Sequence, residues 1–127
     1  MDFAYSRLVG ALTSDRPTRI SEVTDGTSNT ILYAEIAGRP VSYSRSKKLP
    51  GDAIFGGWAD PGSPLILGGG EFDINASNNT TLYSFHSRGA AAVNVDGSVH
   101  FLSKEISLQT LISLTTRSGG ETISEEF

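Results

Sequence analysis

The 127-residue chain has no cysteine, one methionine, one tryptophan and two histidines. Without thiols, disulfide scaffolds, thiolate zinc sites and cysteine nucleophiles are excluded together, and cysteine usage gives no indication of compartment. Cations are also sparse: 10 Lys plus Arg face 14 Asp plus Glu, a net charge of −4 with no basic block. That balance disfavours a nucleic acid or an anionic membrane as partner. No apolar run approaches the roughly 20 residues that span a bilayer. Met1-Asp2, with Arg7 close behind, opens neither a lipidation signal nor a cleavable signal peptide. Motifs that carry a mechanism are missing too, with no G-x-S-x-G elbow, P-loop, G-x-G-x-x-G or H-E-x-x-H.

What is abundant is small and polar. Ser 17, Thr 11, Asn 5 and Gly 14 make up 47 of the 127 residues, the chemistry of turns and strand edges. With 38% hydrophobic residues this reads as one globular, β-rich domain over residues 1–127 rather than a disordered chain.

Tyr5, Leu8, Val9 and Leu12 fall at helical spacing, although Gly10 weakens the pattern and leaves a strand open. Thr18 to Thr24 predicts one helical turn carrying Ile20 and Val23, stopped by Asp25-Gly26. Thr30 to Ala37 predicts a central strand, with Leu32, Ala34 and Ile36 on one face and Ile31, Tyr33 and Glu35 on the other. From Gly38 to Gly70 prolines and glycines break the pattern, so a long irregular insertion is expected, pinned to the core by Trp58. Ala90 to Leu102 predicts a hairpin around Asp96-Gly97. A three-residue loop, Val95 to Gly97, sorts its side chains best. Ala91, Val93, Val99 and Phe101 then share one face and Asn94, Ser98 and His100 a polar, exposed one, with Gly97 left-handed. Ser107 is expected to cap a helix from Leu108 to Thr116, its apolar stripe at Leu108, Leu111, Ile112 and Thr115. Arg117 in its last turn and Gly119-Gly120 beyond are stop signals, and Glu121 to Phe127 could add an edge strand. The fold expected is α+β: an antiparallel sheet, a C-terminal helix packed on it and the insertion over 38–70.

The chemistry-bearing residues are few. His86 and Asp96 form an H-x9-D-G spacing, but a strand between them would hold the side chains about 20–30 Å apart, too far for an acid–base pair. Asp96 with Gly97 is expected to form a turn, and His86 to hydrogen-bond at the strand entrance. Asp25, Gly26 and Asn29 belong to a turn that satisfies its own backbone before the central strand. Glu35, a carboxylate inside an apolar run, needs a partner, with Arg19, Arg39 or Arg88 expected. Asp73 to Asn75 alternates oxygen-bearing side chains that could clasp calcium, yet lacks the glycine and distal glutamate of an EF-hand loop. Neither a metal nor a cofactor is expected.

Four stretches resemble a bacterial family of unknown function whose members carry a prepilin-type signal and an H-x9-D-G motif. They are Arg19 to Thr30 with the following strand and Glu35; Gly57-Trp58-Ala59-Asp60-Pro61; Tyr83 to His86 with Gly89, Asn94 and Asp96 to Val99; and Thr116 to Glu121. Together they cover about residues 19–124. The resemblance implies a pilin-like or pseudopilin-like globular domain, displayed from the cell envelope on an N-terminal hydrophobic helix, with no established activity. That helix is absent from this sequence, so the chain is expected to be a soluble piece that does not insert into a membrane. Ala76 stands where relatives carry Cys, and Arg88-Gly89-Ala90 replaces a more glycine-rich strand start.

The function expected is non-enzymatic: a structural or interaction domain whose partners are other pilin-like subunits or secretion machinery. Tyr43, Trp58 and Asp60 in the insertion would offer the partner surface. Two alternatives stand beside it. A cell-surface ligand- or carbohydrate-binding module requires exposed Trp58 and Tyr43. A hydrolase would need Glu35 and His86 to meet in a pocket.

Overall fold

The structure, a computed structural model, describes residues 9–13, 16–52, 56–57 and 73–123. Its elements are a 3₁₀ turn (Ile20–Glu22), five strands, β1 (Ile31–Ala34), β2 (Val41–Ser44), β3 (Lys47–Asp52), β4 (Gly89–Asn94) and β5 (Val99–Ser103), and a C-terminal helix α1 (Leu108–Thr115). The architecture is α+β. One sheet has the strand order β1-β4-β5 and a second pairs β2 with β3. Contacts divide the chain into two compact units: Met1–Tyr33 with Ala92–His100 and Ile106–Phe127, and Ala34–Ala91 with Phe101–Glu105.

In the first unit the 3₁₀ turn is held from below by Glu22. Its carboxylate accepts the Arg19 N–H at 2.7 Å and receives both Arg16 guanidinium nitrogens, at 2.7 and 3.2 Å. The Arg16 bonds first, and then the Arg19 amide, lower the Glu22 carboxyl from 4.5 to about 2. Val23, just past the turn, is buried while Ile20 is 73% exposed, so the turn buries none of its own side chains and anchors through the residue that follows it. Strand β1 buries Ile31, and Thr30 beside it donates through Oγ1 to the Gly26 carbonyl. Ser107 caps α1 by accepting the Thr110 N–H at 3.1 Å, as the sequence predicts. The helix stripe is rotated from expectation: Thr110, Leu111, Ser113 and Leu114 are buried, whereas Leu108 is 41% exposed. Small hydroxyl residues at 110 and 113 pack closely because their oxygens find partners nearby, Ser113 donating to the Gln109 carbonyl.

The β4–β5 hairpin turns through three residues. Asn94 N–H donates to Ser98 O and Gly97 N–H to Asn94 O, both at 2.9 Å, and Gly97 has φ +86°. The division of side chains into faces is as predicted, but the faces are inverted. Ala90, Ala92, Asn94 and Leu102 are buried and His100 is half-buried, while Val99 and Phe101 are 73% and 50% exposed. Asn94 tolerates burial because its Nδ2 donates to the Ser28 carbonyl at 2.6 Å.

In the second unit the expected irregular insertion contains a regular hairpin. Strands β2 and β3 pair antiparallel with Ser44 opposite Lys47, turning at Arg45 and Ser46, both at positive φ. Asn-Gly ordinarily signals such a turn. Here the strain is offset by hydrogen bonds, Arg45 N–H to Ala76 O and Ser46 N–H to the Tyr83 hydroxyl, both at 3.0 Å. Leu82, Tyr83, Ala90, Leu102, Ile74 and Ala76 form the apolar core of this unit. Residues 9–13 and 121–123 adopt neither helix nor strand. Tyr5, Leu8 and the rest of the tail lie outside the described residues.

Two outcomes follow. A Cβ at Gly89 would collide with the Leu102 carbonyl, which is backbone and cannot swing aside. Gly89→Ala is therefore expected to cost about 1–3 kcal/mol, read from urea unfolding. The folded-state pKa of Glu22 is depressed, so its contribution is full above its ordinary value of 4.5 and disappears as pH falls toward about 2. In an acid titration Glu22→Gln should be less stable than the parent at neutral pH and indistinguishable from it at the bottom of that window.

Candidate functional site

His86, Asp96, Gly97, Asp25, Gly26, Asn29 and Glu35 each take part in a hydrogen bond with the protein's own backbone or side chains. Asp25 begins a turn and its carboxylate reaches the segment after α1, accepting the Gly119 N–H at 2.7 Å and the Gly120 N–H at 2.9 Å. Its own N–H donates to Arg117 O, and Thr116 Oγ1 lies 3.4 Å from its Oδ2 and 3.2 Å from Glu121 Oε2. Positive φ at Gly26 (+100°) and Gly120 (+75°) completes this clasp. Arg117 and Gly119-Gly120 thus differ from the expected helix terminators. The helix ends at Thr115 and Thr116 is extended, while Arg117 lies past the cap with its guanidinium on Thr18 Oγ1. Asn29 is exposed, and its N–H closes the turn onto Gly26 O.

Glu35 behaves as a piece of sheet. Its N–H donates to Ala91 O, its O accepts the Tyr83 N–H, and its Oε2 accepts the Ala91 N–H at 3.0 Å. The expected arginine partner is replaced by a backbone amide, because the chain leaves β1 here and the side chain continues the ladder. His86 donates its N–H to Ser84 Oγ, accepts Asn75 Nδ2 on its carbonyl, and sets its ring edge-on to Phe101 at 5.9 Å. No hydrogen bond joins the Glu35 and His86 side chains. Asp96 accepts both the Ser98 N–H and the Ser98 hydroxyl through Oδ1, bonds that lower its carboxyl below the ordinary range. The same Ser98 hydroxyl sits 3.1 Å from His100 Nε2.

Two asparagines organise the second unit: Asn78, which sequence reasoning passed over, and Asn75, which it weighed only as a calcium ligand. Asn78, fully buried, donates through Nδ2 to Ala37 O and Val41 O, accepts the Tyr43 N–H on Oδ1 at 2.9 Å, and offers its carbonyl to Arg39 Nε at 2.7 Å. Asn75, at φ +69°, donates to His86 O and Gly89 O and accepts the Ser84 N–H at 2.6 Å. This carboxamide is committed to the protein's own backbone, which removes it from the calcium loop considered at Asp73 to Asn75. Among the described residues no group of three or more His, Cys, Asp or Glu side chains is placed to hold a metal. The available signal was the Asn-rich stretch itself, since Asn tolerates positive φ and bonds nearby backbone.

Of the expected partner surface, Tyr43 is half-buried. Its ring meets Phe85 edge-on at 5.0 Å and stacks near Tyr83 at 6.4 Å, over Gly38, where a Cβ would come within 2.8 Å of it. Phe85 is the more open member at 55% exposure. Trp58 and Asp60 lie outside the described residues.

Residues 4–109 match the family described as "Protein of unknown function (DUF1559)". The chain belongs to that family. The match begins ahead of Arg19 and ends before the Thr116 to Glu121 stretch that clasps Asp25. No curated protein and no solved structure matches the chain. No helix among the described residues is long and apolar enough to cross a membrane.

Asp25→Ala is expected to cost about 2 kcal/mol by removing the charged acceptor of two amides, with Asp25→Asn, which keeps one acceptor oxygen, intermediate. Urea unfolding of the two variants checks the order.

Proposed function

We propose that this chain is a non-enzymatic structural or interaction domain of a prepilin-like, exported cell-envelope protein. The observation that carries the reading is that three acidic residues of the resemblance, Asp25, Glu35 and Asp96, accept backbone amides. Side chains committed this way shape turns and offer little to a substrate. The resemblance over residues 19–124 supports the envelope location, because its H-x9-D-G hairpin accompanies a prepilin-type signal in the family it resembles. Pilin-like subunits or secretion machinery would be the partners.

Fractionation of the source cells with an antibody against this domain tests the location. Recovery with the envelope is expected, and recovery with the cytosolic fraction contradicts the proposal.

A further inference from the structure

We propose that the outer edge of β5 is a self-association site, where two copies of the chain pair their β5 strands antiparallel about a two-fold axis at Phe101. This goes beyond the export reading and does not depend on it. In the order β1-β4-β5 the last strand is an edge. The bonds Asn94 N–H to Ser98 O and Lys104 N–H to Arg88 O turn the peptide groups of the even-numbered positions toward β4. Ladder bonds of an antiparallel pair recur at every second residue, so the N–H and C=O groups of Val99, Phe101 and Ser103 point the other way. Among the described residues no strand meets them. Natural edges are guarded by proline, lysine, bulges or inward charge. Val99-His100-Phe101-Leu102-Ser103 has no proline and no lysine, and it exposes Val99 and Phe101 by 73% and 50%.

The ends of the strand select the occupant. Pairing about Phe101 sets Val99 opposite Ser103 of the second copy, so each outward N–H finds a carbonyl and the two Phe101 rings become cross-strand neighbours. The same register places Lys104 opposite Ser98 of the second copy and diagonal to its Asp96. Both charged residues are exposed, and symmetry repeats the opposite-charge pair at the other end. A self-complementary edge of this kind fits a second copy of the chain.

Sedimentation equilibrium of the full chain up to millimolar concentration is expected to show a monomer–dimer equilibrium. Lys104→Glu should weaken it about tenfold by placing like charges at both ends, a loss of about 1.4 kcal/mol. The parent has no cysteine, so register can be read directly. Under oxidation a mixture of Val99→Cys and Ser103→Cys chains should form a disulfide dimer, since these positions face each other. Val99→Cys alone should not, because its two copies stand about 13 Å apart along the strands. A chain that stays monomeric, a dimer indifferent to Lys104→Glu, or equal cross-linking by Val99→Cys alone would overturn the proposal.

Discussion

Hydrogen bonding from short side chains to turn backbone is the interaction on which both units depend. Among the described residues twelve apolar and nine polar residues are buried, and four of the twelve are alanines. A core so poor in large apolar groups leaves peptide groups in its turns without water and without a ladder. Each such group left unmet would cost about 1–3 kcal/mol. Asn75, Asn78 and Ser84 answer this in one unit, and Asp25, Thr30 and Asn94 in the other. No buried side-chain nitrogen or oxygen among the described residues lacks a partner.

The same constraint explains why the acidic motif residues look chemical in sequence and architectural in space. Asp-Gly occurs twice, at 25–26 and 96–97, and both times the glycine has positive φ while the carboxylate caps amides. The two aspartates differ in reach. Asp96 binds its own hairpin two residues on, whereas Asp25 binds a segment more than ninety positions later in the chain. The carboxylate of Asp96 completes its bonds within its own turn, whereas the carboxylate of Asp25 finds its amides only in the C-terminal segment.

Legibility in the sequence followed that difference in reach. The hairpin loop at Val95 to Gly97 and the Ser107 cap were readable because a turn or cap is decided within a few residues. The orientation of the hairpin was not, because polarity suggested a solvent face where alanines and a bonded Asn94 pack inward. The β2–β3 turn was missed because Arg45-Ser46 carries no local turn signal and its stabilisation comes from Ala76 and Tyr83. Asn78 illustrates the limit most clearly. It is one asparagine among several in a polar stretch, and only the path of residues 37–43 around it gives it five bonds.

Native-state hydrogen exchange followed by NMR addresses this account most directly. The amides of Tyr43, Ser84, Ala91 and Gly119 all donate to side-chain oxygens. If those bonds hold each unit's own turns in place, these four amides should exchange at least about a hundredfold more slowly than in an unstructured peptide, in company with the β4 ladder. Exchange at unstructured-peptide rates while β4 remains protected would contradict it, because the units would then stand without the side-chain bonds.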